Sequence, residues 1–122
     1  MDVLEIREFC LKMPFVTEDF PFDEETLVFK VMGKMFLLVD LVSYPLKISL
    51  KVKPEEVISL RESYSFVLPG YHLNKKYWIS LIINDYTPVN LVKRLIKDSY
   101  NEVVSKLPKY KQEIISKKND ED

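Results

Sequence analysis

The stretch Thr26-Leu27-Val28-Phe29-Lys30-Val31, Met32-Gly33, Lys34-Met35-Phe36-Leu37-Leu38-Val39-Asp40 decides the fold. Two runs rich in β-branched and aromatic residues flank a two-residue break that ends in glycine. That pattern predicts a β-hairpin. After a turn near Val42-Ser43-Tyr44, the segment Leu46-Lys47-Ile48-Ser49-Leu50-Lys51-Val52 alternates cleanly. Leu46, Ile48, Leu50 and Val52 point one way, and Lys47, Ser49 and Lys51 the other. A third antiparallel strand therefore places two lysines on an open face of the sheet.

Helices bracket this sheet. Upstream, Val3, Ile6, Cys10 and Met13 recur at spacings of three and four, which predicts a helix over about 2–12. Asp2 suits its N-cap, and Pro14 ends it by biasing Met13 away from the helical region. The acidic piece Thr17-Glu18-Asp19-Phe20-Pro21-Phe22-Asp23 follows, and Pro21 limits it to an edge strand or irregular segment. Downstream, Pro54 with Glu55 and Glu56 opens a second helix with Val57, Leu60 and Tyr64 on its buried stripe. Trp78-Ile79-Ser80-Leu81-Ile82-Ile83 reads as a further strand, and Asn84-Asp85-Tyr86 as a turn. Thr87 is positioned to cap a long helix with Pro88 at its first position. Leu91, Val92, Leu95, Ile96, Val103, Val104 and Leu107 form its apolar face, opposite the solvated Lys93, Arg94 and Lys97. Pro108 closes it. The expectation is one α+β domain over residues 1–108, an antiparallel β-sheet with helices packed on one face. Residues 109–122 form a charged C-terminal tail, expected as a short helix or a frayed end.

A chain of 122 residues fits a single domain. A hydrophobic fraction of 47% and a charged fraction of 30% are those of an ordinary soluble globular protein. No apolar run approaches the roughly 18 residues that cross a bilayer, so no membrane partner is expected. The acidic start lacks the order of a signal peptide. The single cysteine, Cys10, forms no internal disulfide and fits a reducing cytoplasm. It lies on the apolar stripe, as a small core residue.

Net charge is −1, but it is unevenly spread. Residues 1–26 hold eight acids and two bases, whereas residues 27–83 hold eight bases and four acids. A basic middle beside an acidic start allows a local basic face on a nearly neutral protein. With only Gly33 and Gly70, no glycine-rich phosphate cradle can be built. There is no serine of the nucleophile-elbow type, and Cys10 and the lone His72 make neither a catalytic pair nor a metal site. The acidic run from Glu18 to Glu25 lacks the ligand spacing of a calcium loop. The expectation is a binding module that is not an enzyme, with no catalytic residue, no metal and no cofactor.

The densest chemistry lies in Pro69-Gly70-Tyr71-His72-Leu73-Asn74-Lys75-Lys76-Tyr77-Trp78. In one reading Lys75 and Lys76 meet phosphates, while Tyr71, Tyr77 or Trp78 stacks on bases or packs on the backbone. Lys30, Lys34, Lys47 and Lys51 extend that patch along the sheet. In another, Pro69-Gly70 is a turn, Tyr71 and Trp78 fill the core, and Asn74-Lys75-Lys76 is a solvated bend. In a third, Phe20, Phe22, Tyr71, His72, Asn74 and Trp78 line a groove for a small molecule or a protein, with no nucleic-acid role.

With Glu18-Asp19-Phe20-Pro21-Phe22, Leu27-Val28-Phe29-Lys30-Val31, Gly33-Lys34-Met35-Phe36, Leu46-Lys47-Ile48-Ser49-Leu50-Lys51, the segment from Pro69 to Trp78 and Leu107-Pro108 in this order, the chain resembles the MmcQ/YjbR family of small bacterial proteins. The resemblance runs from the first helix to Pro108. It implies a CyaY-like α/β sandwich, also described as a double-wing arrangement. It also implies a cytoplasmic location and a DNA-binding role, and the chain itself is expected to be a monomer. It implies no reaction, and the fold's kinship with frataxin-like proteins does not carry iron binding over.

Overall fold

The computed structural model describes residues 1–121. Its frame is a six-stranded antiparallel sheet in the order β1-β2-β3-β4-β6-β5. The strands are β1 (Val16–Asp19), β2 (Thr26–Val31), β3 (Lys34–Asp40), β4 (Leu46–Lys51), β5 (Val67–Pro69) and β6 (Trp78–Ile83). The helices are α1 (Val3–Leu11), α2 (Pro54–Ser63), α3 (Val89–Ser105) and α4 (Lys109–Glu121). This is the expected α+β class.

The hairpin at the centre forms as its sequence dictates. Val31 pairs with Lys34 across Met32 and Gly33, whose φ angles are 51° and 82°. Two positive φ values make the turn that matches the right-handed twist of its strands. The alternation of β4 also holds. Leu50 lies between Leu37 and Ile79, and Ile48 between Val39 and Leu81, all buried on the same face. Helix α3 covers that face with Val92, Leu95, Ile96, Tyr100 and Val103. Each such side chain contributes about 1.5–3 kcal/mol by leaving water.

One irregularity shapes the join between sheet and helix. Phe29 pairs with Leu37 and Lys30 with Met35, which leaves Phe36 unmatched in a β-bulge. The Phe36 ring meets Tyr100 of α3 edge to face at 5.5 Å between centroids. The buried Ser99 hydroxyl accepts a hydrogen bond from the Lys51 amide (2.9 Å) and donates one to the Phe36 carbonyl (2.6 Å). One side chain thus satisfies the two backbone groups at the end of the β3–β4 ladder.

Three local expectations are corrected. Thr87 does not cap α3: its hydroxyl donates to the Ile82 carbonyl (2.9 Å) and accepts from the Asn84 amide (3.1 Å). Pro88, extended at φ −63° and ψ 123°, takes the N-cap position. The long helix stops at Ser105, and α4 starts after Pro108. The short edge strand β5 pairs with β6, where the sequence shows only the approach to a turn. Residues 109–121 take the helical one of the two forms expected for the tail, as α4, and Ile115 of α4 is buried in the core cluster. No described helix is long and apolar enough to cross a membrane.

Candidate functional site

The segment between β5 and β6 is fixed by short-range bonds. The Asn74 carbonyl accepts from the amides of Tyr77 (3.1 Å) and Trp78 (3.0 Å), and its side chain accepts from the Lys76 amide (3.0 Å). The Ser80 hydroxyl accepts from the Tyr71 amide (3.0 Å) and is shared with Ser49 at 2.7 Å. Gly70 is required by closeness: a Cβ there would come within 2.8 Å of both Cβ and the carbonyl oxygen of Trp78. The segment is therefore stapled across the open face of the sheet, and its side chains are divided between two sites.

The first site is a groove at one end of the sheet. Strand β3 begins at Lys34, β4 ends at Lys51 and β6 begins at Trp78, and Lys51 and Trp78 are register partners. The turn between α3 and α4 lies beside them. The groove has a volume of about 690 Å³ and is lined by Lys34, Met35, Lys51, Trp78, Val103, Lys106, Leu107, Pro108 and Lys111. It holds four lysines and no carboxylate. Lys75 and Lys76 are exposed on the loop that leads into Trp78, and Lys76 Nζ stands 5.5 Å from the Tyr77 ring centroid. Trp78 itself is buried, with 8% of its surface exposed, so it backs the groove rather than projecting from it. Next to it, a depression lined by Lys51, Lys53, Glu56, Asp98 and Glu102 has mixed charge.

The second site is a cleft of about 470 Å³ on the open face. Leu38, Ser49, Thr26, Asp40 and Lys47 of the sheet line it, with Phe22, Asp23 and Glu25 from the β1–β2 connection and Tyr71, His72 and Leu73 from the loop. Lys47 Nζ stands 4.1 Å from the Tyr71 ring centroid, and the Tyr71 and His72 rings are 4.0 Å apart. The Asp23 carboxylate accepts from the amides of Glu25 (2.9 Å) and Thr26 (2.7 Å), which holds its pKa below the ordinary carboxylate value.

The sequence candidates are thus split. Lys34, Lys51 and Trp78 meet in the groove, and Lys75, Lys76 and Tyr77 lie on the adjoining loop. Lys47 and Tyr71 belong to the cleft, and Lys30 pairs with Asp19 at 3.3 Å. Of the small-ligand set, Phe22, Tyr71 and His72 line the cleft. Phe20 is half exposed outside it, the Asn74 side chain serves the loop, and Trp78 lies in the groove. Lys106 and Lys111 were not among the sequence candidates. Their signal was the lysine-rich flank of Leu107-Pro108, which gains meaning only once α4 is known to fold back. Cys10 is fully buried, and burial pushes its thiol up to about 12.

A family model described as YjbR matches residues 11–102. The chain is 38% identical over 106 residues to the uncharacterized protein YbdF of Escherichia coli O157:H7, covering 87% of each. It is 29% identical over 115 residues to the uncharacterized protein YjbR of Escherichia coli K12, covering 94% of this chain and 98% of that relative. The crystal structure of Deinococcus radiodurans protein DR2400, with its DUF419 domain, superposes with a TM-score of 0.87 at 39% identity, over 93% of this chain and 87% of that one. A crystal structure of a Pseudomonas syringae protein gives a TM-score of 0.69 at 26% identity, over 81% and 96% of the two chains.

Proposed function

The chain belongs to the YjbR family, and from that premise we propose that it is a DNA-binding module whose contact surface is the lysine-rich end of the sheet. The observation that carries this reading is the groove lined by Lys34, Lys51, Lys106 and Lys111 without an acidic side chain. Lysine ammonium groups on flexible stems suit phosphate oxygens as point charges, and four on one concave surface match a run of phosphates. Lys75 and Lys76 extend the surface along the loop, with Tyr77 available to pack on sugar or base. In this reading the protein is a cytoplasmic monomer that binds and does not catalyse. Its one thiol is buried and protonated, and His72 stands in the other site.

Fluorescence anisotropy with labelled single- and double-stranded DNA at low salt tests the proposal. The wild-type protein is expected to bind at micromolar concentration or tighter. A Lys34→Glu/Lys111→Glu variant is expected to lose at least tenfold in affinity, whereas Arg61→Glu on α2 loses much less. Equal losses in the two variants would defeat the assignment of the surface, and no binding by the wild-type protein would defeat the function.

A further inference from the structure

The open-face cleft holds charges that the protein leaves unused. Asp40 and Lys47 are direct register partners on neighbouring strands, where opposite charges ordinarily meet. Here they form no ion pair: the Lys47 ammonium lies over the Tyr71 ring at 4.1 Å instead. Asp40 Oδ1 accepts from the Val42 amide at 3.2 Å, and its other oxygen receives no hydrogen bond from the described residues. Asp23, by contrast, is committed at both oxygens, to the amides of Glu25 and Thr26 and to the Thr26 hydroxyl. The cleft therefore offers a cation held only by a ring face and a carboxylate oxygen with no hydrogen bond from the described residues, and Glu25 is also in its lining.

Around these charges the lining is mostly apolar or aromatic, Leu38, Val42 and Leu73 with Phe22, Tyr71 and His72, together with Thr26 and Ser49. Phe22 is 63% exposed and Tyr71 56% exposed, so both present ring surface that an occupant would cover. The volume of about 470 Å³ falls within the range of roughly 300–1,000 Å³ typical of small-molecule sites. An occupant that uses all of these groups carries an anion, a cation and an apolar body in one small molecule.

We infer that the cleft binds a zwitterionic α-amino acid with an apolar or aromatic side chain. Its carboxylate pairs with Lys47, its ammonium pairs with Asp40 and Glu25, and its side chain lies against Phe22, Tyr71 and Leu38. Lys47 leaves the Tyr71 ring to meet the carboxylate, a charge-assisted contact that is stronger than the cation–π one. This site is separate from the lysine-lined groove, and it stands or falls independently of DNA binding.

Isothermal titration calorimetry with three probes separates the charges: L-phenylalanine, its amide, which lacks the carboxylate, and its N-acetyl derivative, which lacks the ammonium. L-Phenylalanine is expected to bind with Kd on the order of 0.1–1 mM, as small ligands of this size do. Both derivatives should bind at least fivefold more weakly. Lys47→Met should weaken L-phenylalanine by fivefold or more and leave the amide unchanged. Asp40→Asn, which keeps the oxygen that accepts from Val42, should weaken L-phenylalanine and leave the N-acetyl derivative unchanged. Thermal melts of both variants control for folding. No binding of L-phenylalanine at 10 mM, equal binding of all three probes, or variants that weaken every probe alike would overturn the inference.

Discussion

Ser99, Gly70 and Cys10 carry consequences out of proportion to their size. Ser99 serves two backbone groups at once, so Ser99→Ala strands the part-buried Lys51 amide and the buried Phe36 carbonyl. The expected loss is about 1–3 kcal/mol, read as a lower urea midpoint with an unchanged slope. Gly70→Ala drives a Cβ into Trp78 backbone atoms that cannot swing away. It should cost about 1–3 kcal/mol and, by shifting Trp78, change the tryptophan fluorescence of the folded state. Burial raises the Cys10 thiol from its ordinary 9.0 to about 12, and the Tyr100 hydroxyl from 10.0 to about 12. The folded protein therefore keeps protons that the unfolded chain releases. Stability from these groups is intact below about pH 9 and is lost as pH rises toward 12, measurable as a fall in the urea midpoint across that range. Neither Ser99 nor Gly70 shows its role in the sequence: a serine on a helix and a glycine before a loop have many uses, and only the approach of α3 to the bulge and of β6 to the loop selects one.

At the scale of elements, legibility followed length and periodicity. The hairpin, the alternation of β4 and the helix over Val3–Leu11 were readable because several residues repeat one pattern. Asp2 and Glu5 close a reciprocal capping box there, with the Glu5 amide 2.9 Å from Asp2. Strand β5 was not readable, since three residues define no period and its pairing with β6 is a tertiary fact. For α4 the sequence leaves a short helix and a frayed end both open, because Tyr110, Ile114 and Ile115 are few apolar residues among many charges; burying Ile115 is what docks the helix. Ile115→Ala should therefore destabilise the whole protein by about 2–4 kcal/mol, detected as a single cooperative melt at lower temperature. A melt at unchanged temperature would mean that α4 contributes nothing to the core.

Over the whole molecule, the sequence held the composition of both sites but not their separation. The basic middle and acidic start were visible as counts. The antiparallel register then sends Lys34 and Lys51 to one end of the sheet, and Asp40 and Lys47 toward the other. The turn before α4 adds Lys106 and Lys111 to the first end. A protein with a net charge of −1 can thus present a wholly basic groove, while Phe22, Tyr71, Asp23, Glu25 and Asp40 line a separate cleft. The central claim is that this groove binds DNA through phosphates, and the salt dependence of affinity tests it most directly. Four lysines neutralising phosphates predict a slope of about −3 to −4 for log K against log salt, reduced by about 2 in Lys34→Glu/Lys111→Glu. A slope near zero, or one that the double variant leaves unchanged, would contradict the account.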